Sequence, residues 1–155
     1  MSQRNRTPPA TTLARQVAVI AVRRVHDGFD VCLIRRKQSE KWAIPKGFID
    51  RGTTAEQAAL AEAFEEAGVK GRIIGEVIGT YDYKKWNASL RVAVYLMEVL
   101  EEQEHWRESR IRDRSWRSLE EVRALLASHP VLTLWDRTME RLTSWANATS
   151  EDGGS

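Results

Sequence analysis

The order of elements in this sequence predicts an α/β (α+β) protein, a mixed sheet with helices packed on it. Two observations carry that prediction. β-branched and apolar runs dominate the first part and return in the middle, whereas Ala-, Glu- and Leu-rich helical stretches lie between them and at the end. The 155 residues, 42% hydrophobic and 30% charged, are also the size and composition of one globular unit with a full core.

The elements follow in chain order. Gln16–Val25 and Phe29–Arg36 read as two strands around the turn His26-Asp27-Gly28. Lys41–Pro45 reads as a short strand before Lys46-Gly47. Thr53–Ala67 is rich in helix formers. Its start is marked by two candidate capping boxes, Thr53 with Glu56 and Thr54 with Gln57, and its end by Gly68, suited to a left-handed cap. Arg72–Lys84 and Ser89–Leu100 read as long strands and Arg110–Trp116 as an edge strand. Ser118–Ala127 opens with the capping pair Ser118 and Glu121, and Pro130 opens a last helix to about Ala146. Residues 14–147 form the predicted domain, with flexible polar tails at 1–13 and 148–155.

Composition narrows the function. With 24 basic against 22 acidic residues the net charge is +2, too balanced to call for nucleic acid, and no partner of that kind is expected. The longest apolar run, Val17–Val22, is far short of a membrane span, and no apolar leader stretch appears, so a cytoplasmic chain without a membrane partner is expected. The single cysteine, Cys32, lies in the apolar run VCLI and reads as a buried thiol. Trp42 and Trp116 read as core, and His26, His105 and His129 make no zinc-ligand spacing. A homodimer is compatible with the sequence.

The informative stretch is Gly52–Val69. It holds no Lys or Arg and four carboxylates: Glu56, Glu62, Glu65 and Glu66. The last three are spaced i, i+3, i+4, so they share one helix face at the negative end of the macrodipole. Each like-charge neighbour costs roughly 0.2–0.5 kcal/mol and each misplaced acid about 0.3–1 kcal/mol. Local stability does not choose this arrangement. Hard oxygen ligands on one face suit Mg²⁺ or Mn²⁺, and basic partners from elsewhere in the fold are the other way to relieve it.

Gly47–Val69, GFIDRGTTAEQAALAEAFEEAGV, resembles the Nudix box, G-x5-E-x7-R-E-U-x-E-E-x-G-U with U a bulky aliphatic. Gly47, Glu62, Glu65, Glu66, Gly68 and Val69 match, and Trp42-Ala43-Ile44-Pro45-Lys46 is similar to what leads into the box. The region Trp106–Val122 is similar to the end of the domain in diphosphoinositol-polyphosphate and diadenosine-polyphosphate hydrolases. The box glutamate is Thr53 here, its arginine Ala61 and its bulky aliphatic Ala63. In the family that glutamate and arginine are thought to pair and hold the helix. Both are absent together, so neither leaves an uncompensated charge behind.

The resemblance implies an α/β/α sandwich with the box helix packed on the sheet. It also implies a metal-dependent hydrolase cutting a diphosphate linkage in a nucleotide or polyphosphate, with dinucleoside and diphosphoinositol polyphosphates favoured. Glu62, Glu65 and Glu66 are the implied catalytic and metal-binding residues. The carbonyl of Gly47 or Lys46 is a further ligand, and Mg²⁺ or Mn²⁺ the cofactor. The general base is Glu65 or Glu66, or Glu102, Glu104 or Glu108. Arg35, Arg36, Lys37, Lys46, Lys84, Lys85, Arg91, Arg110, Arg112 and Arg114 are the candidate contacts to substrate phosphates, with Tyr83 and Trp86 candidates to stack on a base. The alternative is a catalytically weak or silent Nudix domain that senses a nucleotide, because loss of a supporting interaction typically costs about 10–100-fold.

Overall fold

Seven strands and three helices follow in the order β1 (Ala14–Val25), β2 (Gly28–Arg36), β3 (Lys46–Phe48), α1 (Ala55–Glu62), β4 (Val69–Ile73), β5 (Gly79–Lys85), β6 (Ala88–Glu102), β7 (Arg112–Ser118), α2 (Leu119–Leu125) and α3 (Trp135–Gly153). The structure is a computed structural model and describes residues 14–153; the expected tail at 1–13 lies outside the described residues.

β1 is the organising strand. It pairs antiparallel with β2 and β3 and parallel with β6, which makes the sheet mixed. Its apolar run is continuous because both of its faces are covered. Ala18, Ile20 and Val22 point to the layer of α2 and α3, where they meet Val122, Leu126, Leu134 and Leu142. Val17, Val19 and Ala21 point to the other layer, where they meet Ala58, Ala59, Ala63 and Ala67. Alanine on that helix face lets the backbone of α1 lie close to the sheet. The result is the α/β/α sandwich with the box helix on one face.

Several predicted boundaries shift. The strand expected at Lys41–Pro45 is only a bridge from Ala43 to Ile34. Pro45 has no N–H to give a ladder, and true pairing begins at Lys46, against Ala18. The long strand expected at Arg72–Lys84 is two, β4 and β5, both antiparallel to β6. Gly75 breaks it with φ +71°, and Arg141 holds the loop between them by donating to the carbonyls of Ile74 and Glu76. The helix expected over Thr53–Ala67 is α-helical only through Glu62 and ends in a π-helical turn, Ala63–Ala67. Pro130 opens a 3-10 turn, Pro130–Leu134, that feeds α3. α3 runs past Ala146, so 148–153 are helical where a tail was expected, and the Thr149 hydroxyl accepts a hydrogen bond from Arg24.

Side-chain environments also differ in part. Trp42 and Trp116 are half-buried beneath arginines, Trp42 under Arg35 at 4.5 Å and Trp116 under Arg23 at 4.0 Å. Cys32 is fully buried, and burial pushes its thiol up to about 12, as an inert core residue requires. β7 is an edge strand, as expected, and its partner is β2. Among the described residues no helix is long and apolar enough to cross a membrane.

The N-terminal cap of α1 falls on Thr54. Its hydroxyl accepts from the Gln57 N–H and the Gln57 side chain accepts from the Thr54 N–H. Thr54→Ala is expected to cost about 1 kcal/mol, a fall of roughly 2–4 °C in Tm, whereas Thr53→Ala is near neutral. Thermal denaturation of the two variants side by side distinguishes them.

Candidate active site

The site begins where β3 meets the box helix. Lys46 donates its backbone N–H to Glu66 Oε1 at 3.0 Å, tying the strand to the acidic turn. Next to it, a Cβ on Gly47 would collide with the Glu62 carboxyl, so this position must be glycine for Glu62 to lie against the strand. Glu62 and Glu66 thus converge on the β3 backbone. Among the described residues Glu66 and Glu65 have basic partners, Arg112 at 3.5 Å and Arg107 at 3.3 Å, and Glu62 has none. Burial, then the charges of Glu66 and Glu65, push the Glu62 carboxyl up to about 8. Burial also raises Glu66, against the opposing pull of the Lys46 amide and Arg112.

The acidic turn is held from outside its own helix. The segment between β6 and β7, together with β7, takes four successive carbonyls. The N–H of Glu108 donates to Glu65 O at 3.2 Å and that of Gln103 to Gly68 O at 2.8 Å. The Trp106 indole donates to Glu66 O at 2.8 Å and Arg114 to Ala67 O at 2.7 Å. These are the carbonyls that a helix end leaves unpaired, and Arg114 adds a cation where the dipole is negative. Gly68, at φ +69°, has no room for a side chain because Trp106 packs over it.

The sequence candidates divide. Glu62, Glu66, Gly47 and Lys46 come together, and Glu65 lies at the rim with Arg107. Glu108 joins them, close enough to raise Glu62 and Glu66, and accepts from Arg112 Nε at 2.6 Å. Glu104 does not: it is exposed beside His105. Glu102 is taken by Trp116, Arg23 and Arg114.

Of the basic set, Arg112 and Arg114 serve the acidic turn. Arg35 and Lys37 share Asp113, and Arg91 grips Asp82 through two nitrogens. Arg36, Lys46, Lys84, Lys85 and Arg110 have no acidic partner among the described residues. Arg36, Lys37 and Arg110 line a groove of about 470 Å³ with Gln38, Ser39 and Ile111. The Lys46 ammonium points to the other face of the sheet, donating to Tyr83 Oη at 2.8 Å, and Tyr83 donates to Gln16 at 2.8 Å. Lys84 and Lys85 stand at the tip of the β5–β6 hairpin beside Trp86, which is 79% exposed.

Trp106, Arg107 and Gln103 had no assigned role in the sequence reading. No local pattern marks them, because their partners lie some forty residues earlier in the chain. The donor set suits a hard divalent cation: carboxyls converge, and one of them, Glu62, has no counter-charge among the described residues. The fit rests on Glu62 and Glu66, since among the described residues no trio of His, Cys, Asp and Glu is already gathered as a cage.

The NUDIX domain family model matches residues 13–137. The chain is similar to Nudix hydrolase 4 of Arabidopsis thaliana, 36% identical over 60% of this chain and 45% of that protein. It is also similar to diphosphoinositol polyphosphate phosphohydrolase 3-beta of Bos taurus, 33% identical over 58% of this chain and 55% of that one. The chain therefore spans about half the length of these relatives. Among solved structures, the fold matches a C. elegans Ap4A hydrolase binary complex with a TM-score of 0.70 and 19% identity, covering 85% of this chain and 99% of that one.

The raised Glu62 has a consequence for stability. Its folded-state value, about 8, lies above its ordinary 4.5, so between those limits the folded chain binds more protons than the unfolded one. Its contribution to metal-free stability is therefore full below pH 4.5 and is lost as pH rises toward 8. Glu62→Gln is expected to flatten this decline and raise the metal-free Tm at pH 8. A pH series of thermal melts in chelator checks it.

Proposed function

Because the chain belongs to the Nudix family, we propose that it is a metal-dependent pyrophosphohydrolase acting on a polyphosphate-bearing small molecule. The observation that carries this reading is Glu62, converging with Glu66 on the β3 backbone without a basic partner of its own. Glu62, Glu66 and the Gly47 carbonyl would hold Mg²⁺ or Mn²⁺, with Glu65 completing the set from the rim. When bound, the ion neutralises charge on the diphosphate and acidifies or aims the attacking water.

The chain's own residues do the rest. The Lys46 amide fixes Glu66. Glu108 joins Glu65 and Glu66 as a general-base candidate at the cluster. The Arg36, Lys37 and Arg110 groove takes phosphates beyond the scissile bond. A chain of phosphates, as in a dinucleoside or diphosphoinositol polyphosphate, matches this spread of cations better than a single diphosphate does.

The test is a panel of dinucleoside polyphosphate, diphosphoinositol polyphosphate and ADP-ribose, each incubated with Mg²⁺ or Mn²⁺ and the products resolved. Metal-dependent cleavage is expected, strongest on the longer phosphate chains. Glu66→Gln is expected to cut kcat by roughly a hundredfold or more. Arg36→Ala with Arg110→Ala is expected to raise KM for the polyphosphates more than for ADP-ribose, with kcat less affected. Tight binding without cleavage of any compound would favour a nucleotide sensor.

A further inference from the structure

The box positions that would carry an ion pair are Thr53 and Ala61, and Ala61 is exposed on the helix surface. No cation on the box helix itself answers Glu62, Glu65 and Glu66. The cation that reaches deepest into the cluster comes from another element. Arg112, at the start of β7, is only 16% exposed; its Nε donates to Glu108 at 2.6 Å, and its Nη2 lies 3.5 Å from Glu66 Oε2. Glu66 is itself buried, with its other oxygen taken by the Lys46 amide. A buried carboxylate cannot stay charged without a partner, so Arg112 is needed whenever no other cation is present.

We infer that Arg112 is the built-in counter-charge of the acidic cluster, and that it and a divalent cation compete for the same carboxylates. The sequence reading made Arg112 a phosphate contact; its geometry instead turns it toward Glu66 and Glu108. This inference rests on the metal-binding reading above. It gives the acidic turn a basic partner from β7, where the box helix itself supplies none. Opposite charges brought to one carboxylate pair are alternatives, so removing one strengthens the grip of the other.

Two measurements on the whole chain test it, neither needing turnover: the Tm in chelator, and the affinity for Mn²⁺ alone by titration calorimetry at one pH. Arg112→Ala is expected to lower the chelator Tm by roughly 3–10 °C while tightening Mn²⁺ binding about three- to tenfold. Arg112→Lys keeps the charge and is expected to stay near the original chain in both. Adding Glu108→Gln to Arg112→Ala removes one repelling acid and is expected to recover most of the lost Tm. Weaker Mn²⁺ binding in Arg112→Ala would overturn the inference and make Arg112 a support for the ligand geometry. No change in either measurement would overturn it as well, leaving an ordinary surface charge. If the unmodified chain takes up no Mn²⁺, the metal reading fails, whereas the counter-charge is still judged by whether Glu108→Gln restores the Tm lost in Arg112→Ala.

Discussion

Everything at the candidate site depends on how one helix end is closed. Four carbonyls, from Glu65 to Gly68, would go unpaired at the end of an ordinary helix. Here they are bonded to Glu108, Trp106, Arg114 and Gln103. That clasp closes a last turn that is π-helical and brings Glu108 and Arg112 beside Glu66. An α-helical ending would leave the acids where local repulsion and the dipole oppose them, with nothing nearby to offset the cost.

The sheet supplies the opposing wall. β1 is covered on both faces, and β3 rides on it through Lys46 and Gly47. The helix lies close through alanines, and this closeness lets the Glu62 carboxyl meet a glycine backbone. Ala63, which departs from the bulky aliphatic of the box, belongs to that face and is fully buried.

Much of this was legible in the sequence, for local reasons. The first hairpin, the capping boxes at Thr54 and Ser118, the left-handed Gly68 and the gathering of Glu62 with Glu66 all follow from residue types at short spacing. The acidic cluster could be seen as a problem needing a cation. What could not be read was which cations answer it, because Arg107, in the β6–β7 connection, and Arg112, at the start of β7, are placed by tertiary packing and not by neighbours in sequence. For the same reason half of the phosphate candidates proved to have acidic partners within the protein. Arg35, Lys37 and Arg91 looked free until strand pairing set Asp113 and Asp82 against them. The split of Arg72–Lys84 turned on Gly75 within a run that otherwise reads as strand.

Lys46 serves two faces of the sheet by different parts of itself. Its amide belongs to Glu66 on the helix side, and its ammonium belongs to Tyr83 on the other. Substitutions at this codon therefore sort into two classes. Nearly every replacement deletes the amine and keeps the N–H, so it reports only on the Tyr83 side. Proline alone removes the N–H as well. A saturation scan of position 46 would thus show proline separated from a plateau formed by the other uncharged replacements, the gap combining the lost amide with the φ that proline imposes.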